Sequence, residues 1–497
     1  MKKFLYTILA AVALLTVVSC EGFLSTNPTS SVSDQSVFTS PQGAQAALSG
    51  CYNLLFFGYG GGRPDTQGYM SHMLTNDTCG DDIIVDGGWY TFDYNHWGHQ
   101  RGDIFKAGAL WGYYYELINN LNSVITYTPT IEGGIQSTKD HILGQAYAMR
   151  GWAYFQLAQT FQHTYALSAP RDMPGVPLYT EPSSDKTEGK ARASIKDVYA
   201  QILSDLGEAE TLLNGFVRTQ KNHFDLTVVQ GLLSRVYLEM NNWAEAEKYA
   251  SLVLAKYPLT TTAQWNSGFN DAATSSWIWA MLVDAEHNLE KNGDYGPFAF
   301  WTNYITRNGG DLWSFNCFFL NDKFVALFDA DDIRAQQFHL VANKGYYMSD
   351  KFYDTPDLTG DFVFMRADEM LLNKAEALAR QGKDTEARDC LNQLRELRNA
   401  TPSLKSGNAL LDDIYQERRK ELYGEGFAWY DLRREQKPLL REGKHKEFSG
   451  DKPIPANSWR FVYQIPTSEI LNNPNINSDI WPAGDQNPFG EPSLVLN

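Results

Sequence analysis

Residues 361–399, DFVFMRADEMLLNKAEALARQGKDTEARDCLNQLRELRN, and 416–435, QERRKELYGEGFAWYDLRRE, are the most strongly patterned and most densely charged part of the chain. The stretch reads as helices. Ala375, Leu378 and Ala387 repeat part of a spacing found upstream. There Tyr237, Ala246 and Pro258 fall at the Tyr, small-Ala and terminal-Pro positions of the roughly 34-residue tetratricopeptide unit. Small residues at such positions let paired helices approach closely, which predicts a stacked helical scaffold. The closing charges invite an acid–base reading. Yet Glu417 and Glu421 stand four apart on one helix, where opposite charges at similar spacing pair. Asp431 with Arg433 or Arg434 reads the same way. Acid–base work needs opposed groups around a shaped pocket, so the stretch is read as scaffold.

Working outward, further helices are expected at 41–55, behind Ser40-Pro41, and at 104–127 and 139–161. Another begins at the Ser194-x-x-Asp197 cap, and two more span 225–240 and 243–257. Residues 56–102 read as one long aromatic loop, and loops of that length are usually functional. Residues 261–360 have little helical period and read as irregular structure with a few strands. Trp277 and Trp279, alternating in SSWIWAML, read as strand-packed core. The expected divisions are a signal peptide (1–19), a lipidated tether (20–40) and an N-terminal helical-repeat region (41–260, with the loop 56–102). An irregular ligand-binding region (261–360), a C-terminal helical-repeat region (361–437) and an irregular C-terminal region (438–497) follow.

A chain of 497 residues holds two sub-domains or one repeat-built domain. Its net charge of -17 argues against a nucleic-acid partner and against adhesion to anionic lipid through the protein surface. Lys2 and Lys3, then an apolar run to Val18, have signal-peptide form. The run ends Val17-Val18-Ser19-Cys20, which resembles the lipobox of bacterial lipoproteins and makes Cys20 the expected lipid anchor. Cys51, Cys79, Cys317 and Cys390 form neither a disulfide framework nor metal-ligand spacing. Cys390 reads as a small buried hydrophobe.

The 13 Trp, 27 Tyr and 27 Phe exceed what a core obviously needs. In 87–101, GGWYTFDYNHWGHQR, the residues Trp89, Tyr90, Asn95 and Trp97 combine aromatic faces with polar edges. Sugar rings ask for that mixture: an apolar C–H face bordered by hydroxyls. Against it stands the reading in which some of these rings plug the helical core. Trp301 and Trp313 flank a Gly-Gly turn and are candidates for an opposing platform or for core packing. His96, His99, Asp77, Asp81, Asp82, Asp86 and Asp93 match neither the zinc nor the calcium motif spacing. No metal or other cofactor and no catalytic residue is expected.

In combination, several motifs resemble the SusD/RagB family, the outer-membrane nutrient-binding lipoproteins of Bacteroidetes. They are Cys20 with Gly22-Phe23-Leu24, the Arg150 helix leading to Gly175-Val176-Pro177-Leu178, and RASIKDVYAQILSDL. Asp332 and Arg334, FMRADEMLLNKAEALA, ERRKELYGEGFAWYDLRRE and YQIPTSEILNNP complete the set. Two departures stand out. Glu21-Gly22 is a short acidic follow-on to the anchor, a weaker surface-export signal than many relatives carry. Gly151 stands where Ala is expected, a change that should matter little. The resemblance implies a mostly α fold of about four tetratricopeptide-like helix pairs, with an irregular, loop-rich ligand-binding part containing a few short strands. It implies a protein on the outer face of the outer membrane, held by lipid, that binds oligosaccharide and serves a TonB-dependent, SusC-like barrel transporter. A peptide or other nutrient cargo is the alternative within the family, and a helical glycoside hydrolase the alternative outside it.

Overall fold

Helix starts follow local cap chemistry. Ser40 accepts the Gly43 N–H at 3.2 Å ahead of α1 (Pro41–Phe57), and Pro41 takes the first turn, where a missing N–H costs little. α2 (Gly68–Thr78), α3 (Phe105–Tyr127) and α4 (Gln136–Phe161) follow. Ser194 accepts the Asp197 N–H at 3.1 Å and opens α5 (Ile195–Leu212). Asp225 accepts the Val228 N–H at 2.9 Å and opens α6 (Leu226–Glu239). The remaining main helices are α7 (Trp243–Leu254), α8 (Ala367–Arg380), α9 (Asp384–Leu397), α10 (Gly407–Leu422) and α11 (Ala428–Arg434). The computed structural model describes residues 37–58, 64–96, 102–284, 305, 318–353, 355, 359–445 and 453–476.

The helices stack as the repeat spacing predicts. α3 packs on α4, α4 on α5, α6 on α7, α7 on α8, and α8 on both α9 and α10. Ala246 and Ala377 are fully buried where α6, α7 and α8 meet, against Leu238. Ala375, Leu378 and Ala387 meet Leu391, Leu410 and Ile414 where α8, α9 and α10 meet. At Gly151 an added Cβ would stand 3.2 Å from Asp205 Cβ, Ile202 O and Leu206 Cγ. The approach of α4 to α5 is therefore close at Gly151, and an Ala there would need its neighbours to shift by a few tenths of an ångström.

Among the described residues are six short strands: β1 (Ile83–Val85), β2 (Trp277–Met281), β3 (Phe318–Leu320), β4 (Phe338–Val341), β5 (Tyr346–Ser349) and β6 (Phe362–Arg366). One antiparallel sheet has the order β1-β3-β5-β4, and β2 pairs with β6. Two expectations are corrected. Residues 362–366 form a strand, not the start of a helix. Their aromatic and β-branched side chains suit a sheet, and β2 offers an equally buried partner. The supposed loop 56–102 contains α2, every residue of which is buried. A helix covered on all sides carries no apolar stripe, so periodicity could not reveal it.

Much of the aromatic excess fills the core. Trp152 meets Tyr69 edge-on with ring centroids 4.8 Å apart, and Trp279 meets Phe364 at 4.9 Å. Trp277 and Trp279 are buried, as expected of strand core. The main apolar cluster gathers residues from Phe38 to Ile476. Cys51 and Cys79 are buried free thiols, Cys390 is only half-buried, and Cys317 lies outside the described residues.

Candidate functional site

The closing charges of the scaffold stretch are buried, not arrayed along a solvated helix. Glu421 receives three arginines: Arg334 Nη1 at 2.9 Å, Arg366 Nη1 at 2.8 Å, and Arg398 through Nε at 3.0 Å and Nη2 at 2.7 Å. Glu417 accepts from Arg334 at 2.6 Å and Arg395 at 2.7 Å. Asp332 pairs with Arg334 at 2.7 Å, and Asp368 with Arg398 at 2.9 Å. The expectation of pairing within one helix is thus corrected. Lys420 keeps a same-helix pair with Glu417 at 3.2 Å, but the other partners come from four further segments of the chain. Asp431 pairs with Arg418 at 2.8 Å and Arg434 at 3.0 Å, while Arg433 turns to the carbonyls of Gln159 and Gln162 in and just beyond α4.

Burial by itself raises a carboxyl pKa, and here the cations reverse it. Arg334, Lys420 and Arg395 hold Glu417 at about 2 despite its burial. Glu421, buried among Arg398, Arg366 and Arg334, lies well below the usual carboxylate range. A general acid or base exchanges its proton near the working pH; these two carboxylates do not, and neither is exposed. The cluster is structural. Lys351 extends it, donating to Glu425 Oε1 and the Tyr423 carbonyl at 2.7 Å and to the Glu421 carbonyl at 2.9 Å. Its ammonium lies 4.3 Å from the Tyr423 ring centroid and 5.0 Å from that of Trp265. A cation thus closes the C-terminal end of α10, where the helix dipole favours positive charge.

The same helix holds the loop selected for its aromatics. Arg419 pairs with Asp82, just before β1. β1 runs into Gly87 and Gly88, at φ 128° and 76°, conformations that favour glycine, and then into Trp89. Beneath the loop, Asp93 accepts from Tyr463 OH at 2.6 Å and Thr75 Oγ1 at 3.3 Å, and faces Lys106 Nζ at 3.4 Å. Tyr94 OH contacts His445 Nδ1 at 2.8 Å, and the Arg441 guanidinium lies 4.0 Å from the Tyr94 ring centroid. His96 Nε2 lies 3.1 Å from the Cys79 carbonyl, and burial pushes its pKa down to about 3. These supports come from α2, α3 and the C-terminal segment, and no motif in 87–101 announces them.

The predicted residues separate on this frame. Trp89 is 44% exposed, and among the described tryptophans it alone is exposed. Asn95 is half-buried and donates Nδ2 to the Thr91 carbonyl at 2.9 Å. Tyr90 is fully buried, edge-on to Phe318 at 5.1 Å, so it supports the loop and offers no open face. Trp97, Trp301, Trp313 and the anchor Cys20 lie outside the described residues. The acidic side chains have other work: Asp77 accepts the Gly426 N–H at 2.8 Å and Asp81 the Arg441 N–H at 2.7 Å. No group of three His, Cys, Asp or Glu is arranged to hold a metal among the described residues. No helix among them is long and apolar enough to cross a membrane.

Fold and charge placement define a class: a helical-repeat scaffold whose buried ions are structural and which presents an indole on a braced loop. Two family models agree with it. Residues 331–488 match the SusD family, and residues 65–238 match a SusD-like family described as starch-binding, associating with the outer membrane. The chain belongs to the SusD/RagB family, one of whose two matching models is described as starch-binding. A SusD-like protein of Formosa agariphila is 24% identical across 97% of this chain and 100% of its own length. A SusD-like carbohydrate-binding protein from Bacteroides vulgatus is 27% identical, with TM-score 0.79, over 88% of this chain and 97% of that one. A laminarin-binding SusD-like protein, 20% identical with TM-score 0.67 over 88% and 98%, shares the fold.

Proposed function

We propose that this protein is a cell-surface lipoprotein that captures oligosaccharides and delivers them to a TonB-dependent barrel transporter of the SusC type. The observation that carries the reading is Trp89, an exposed indole on a glycine turn whose underside is held by buried ion pairs and hydrogen bonds. A rigid aromatic face stacks on a sugar ring at little cost in lost side-chain freedom. Asn95 supplies a polar edge, and Trp97, Trp301 and Trp313 complete the proposed platform. Val85 pairs with Phe318, so β3 lies beside the strand leading to Trp89. The family descriptions favour glycan over peptide.

In this reading Cys20 carries the lipid, the protein faces the cell exterior, and the stacked helices form the rigid body that meets the transporter. Capture is followed by hand-over through a hinge movement about the tether. Calorimetry against a panel of oligosaccharides and peptides tests it. Glycan binding is expected. Tight peptide binding with no glycan bound overturns the glycan reading, and shortened products after incubation with the bound glycan overturn the assignment as a carrier.

A further inference from the structure

The outer face of the four-stranded sheet adjoins the Trp89 loop and has a chemistry of its own. Strand register assigns the faces. Ile84 pairs with Phe319 and His339 with Met348, and Tyr346 shares the face of Met348 by the two-residue period of a strand. Ile84 and Phe319 are buried yet stand outside the main core cluster, as residues of the opposite face would. Phe319 and Tyr346 meet there, ring centroids 5.5 Å apart. Lys344, in the β4–β5 turn, places Nζ 4.8 Å from the Phe319 ring centroid and 2.9 Å from Asp86 Oδ2. Asp86 is three residues before Trp89, which confines the two Cα atoms to within about 11 Å.

We propose that Tyr346 and the Asp86–Lys344 pair extend the Trp89 platform into one groove for a neutral oligosaccharide longer than a single ring. This rests on the glycan-binding reading above. Tyr346 is half-exposed, and its hydroxyl has no hydrogen-bond partner among the described residues. It therefore offers both a ring face and an unengaged polar tip, the two features a sugar uses. Lys344 is exposed and has N–H donors beyond the one directed at Asp86, so a ligand hydroxyl that accepts finds a counterpart beside the Tyr346 hydroxyl. The pair has no net charge, which suits a neutral polyol better than a phosphate or carboxylate. Two strand spacings separate β1 from β5, about 10 Å, so a ligand touching both ends spans more than one ring.

The test is calorimetry on the full chain with graded malto-, laminari- and xylo-oligosaccharides, and hyaluronan fragments as an anionic arm. Wild-type affinity should rise with chain length in one neutral series. Tyr346→Ala should remove that rise, about tenfold for the longest member, while leaving the shortest that binds unchanged. Tyr346→Phe should keep most of it, and Trp89→Ala should weaken every length. A purely structural role for Tyr346 would weaken all lengths alike, and that result overturns the proposal. Wild-type binding with Tyr346→Ala unchanged, or a preference for the anionic fragments, overturns it while leaving the glycan reading in place. Failure of the wild-type chain to bind any of these glycans overturns both.

Discussion

Arg419 reaches from α10 to Asp82, its Nε 3.2 Å from the carboxylate Oδ2, and so ties the C-terminal helices to the residue before β1. The Trp89 loop grows from the other end of that strand. Arg419→Met removes the tie but leaves the pairing of β1 with β3. We expect a stability loss of about 1–2 kcal/mol, because Asp82 is left buried without this partner. Glycan affinity should fall by about threefold or more as the loop loses its registration. Urea denaturation and calorimetry on the same variant check this; unchanged affinity would remove the link between α10 and the loop.

Glu421 gathers three arginines with no exposure to solvent. Breaking a buried pair leaves an uncompensated charge and costs about 3–5 kcal/mol. Glu421→Ala leaves several such charges at once, so we expect a loss at or above that range, read as a lowered urea midpoint or as failure to fold. Lys248→Ala, which breaks the exposed pair with Glu245, should change stability by less than about 0.5 kcal/mol. Similar losses in the two variants would contradict the structural role given to the buried network.

Stability should also depend on pH in a defined window. Glu417 falls from an ordinary 4.5 to about 2 in the folded chain, with burial opposing and Arg334 the foremost cause of the fall. Between those values the unfolded chain binds more protons, so stability is fully present above 4.5 and is lost as pH drops toward 2. The contribution is about 3 kcal/mol, and Glu421 adds to it in the same direction. Glu239 works the other way, since burial raises it from 4.5 to about 7. It removes stability as pH climbs through that interval. Denaturant unfolding across pH should show Glu417→Gln flattening the acid slope and Glu239→Gln gaining on the wild-type chain as pH rises from 4.5 to about 7, with no further gain above that.

The helical scaffold was legible because its signals are local. Ser194 and Asp225 cap helices one to three residues away, and Ala246, Ala375 and Ala387 mark close helix approach within a repeat. The network around Glu421 was not legible, because Arg334, Arg366 and Arg398 come from positions up to 87 residues distant. A charge four residues from another on a helix looks the same whether it faces water or three buried guanidinium groups. Tyr90 and Trp89 are adjacent and equally aromatic, yet one is buried and the other exposed. Phe318 packs edge-on against Tyr90, and Lys106 Nζ lies 5.6 Å from its ring centroid; the first of these contacts bridges more than two hundred residues of chain.

The anchor assignment makes its own demand. Among the described residues the main core begins at Phe38, well after Cys20. Cys20→Ala should therefore free the protein from the membrane fraction while leaving its Tm unchanged, because lipid attachment and core packing involve different parts of the chain. Fractionation followed by thermal unfolding of the released protein checks both halves. A Cys20→Ala protein that still sediments with membranes would show that something other than acyl chains holds it there.

Trp89 and Trp279 give the sharpest separation of binding from folding. Trp279 is fully buried and packs on Trp152 at 5.9 Å and Phe364 at 4.9 Å. Truncating it to Ala opens a cavity in the aromatic core and should cost about 3–5 kcal/mol. Trp89 is 44% exposed and stands outside the main core cluster, so Trp89→Ala should cost far less stability, about 1 kcal/mol or below. Its effect should fall on affinity instead, about tenfold or more, as the loss of one stacking face. The two variants differ in opposite readouts, so a general weakening of the protein cannot imitate the pattern. If Trp89→Ala lost stability and bound glycan as the wild-type chain does, Trp89 would belong to the core after all, and the platform would have to be sought on another surface.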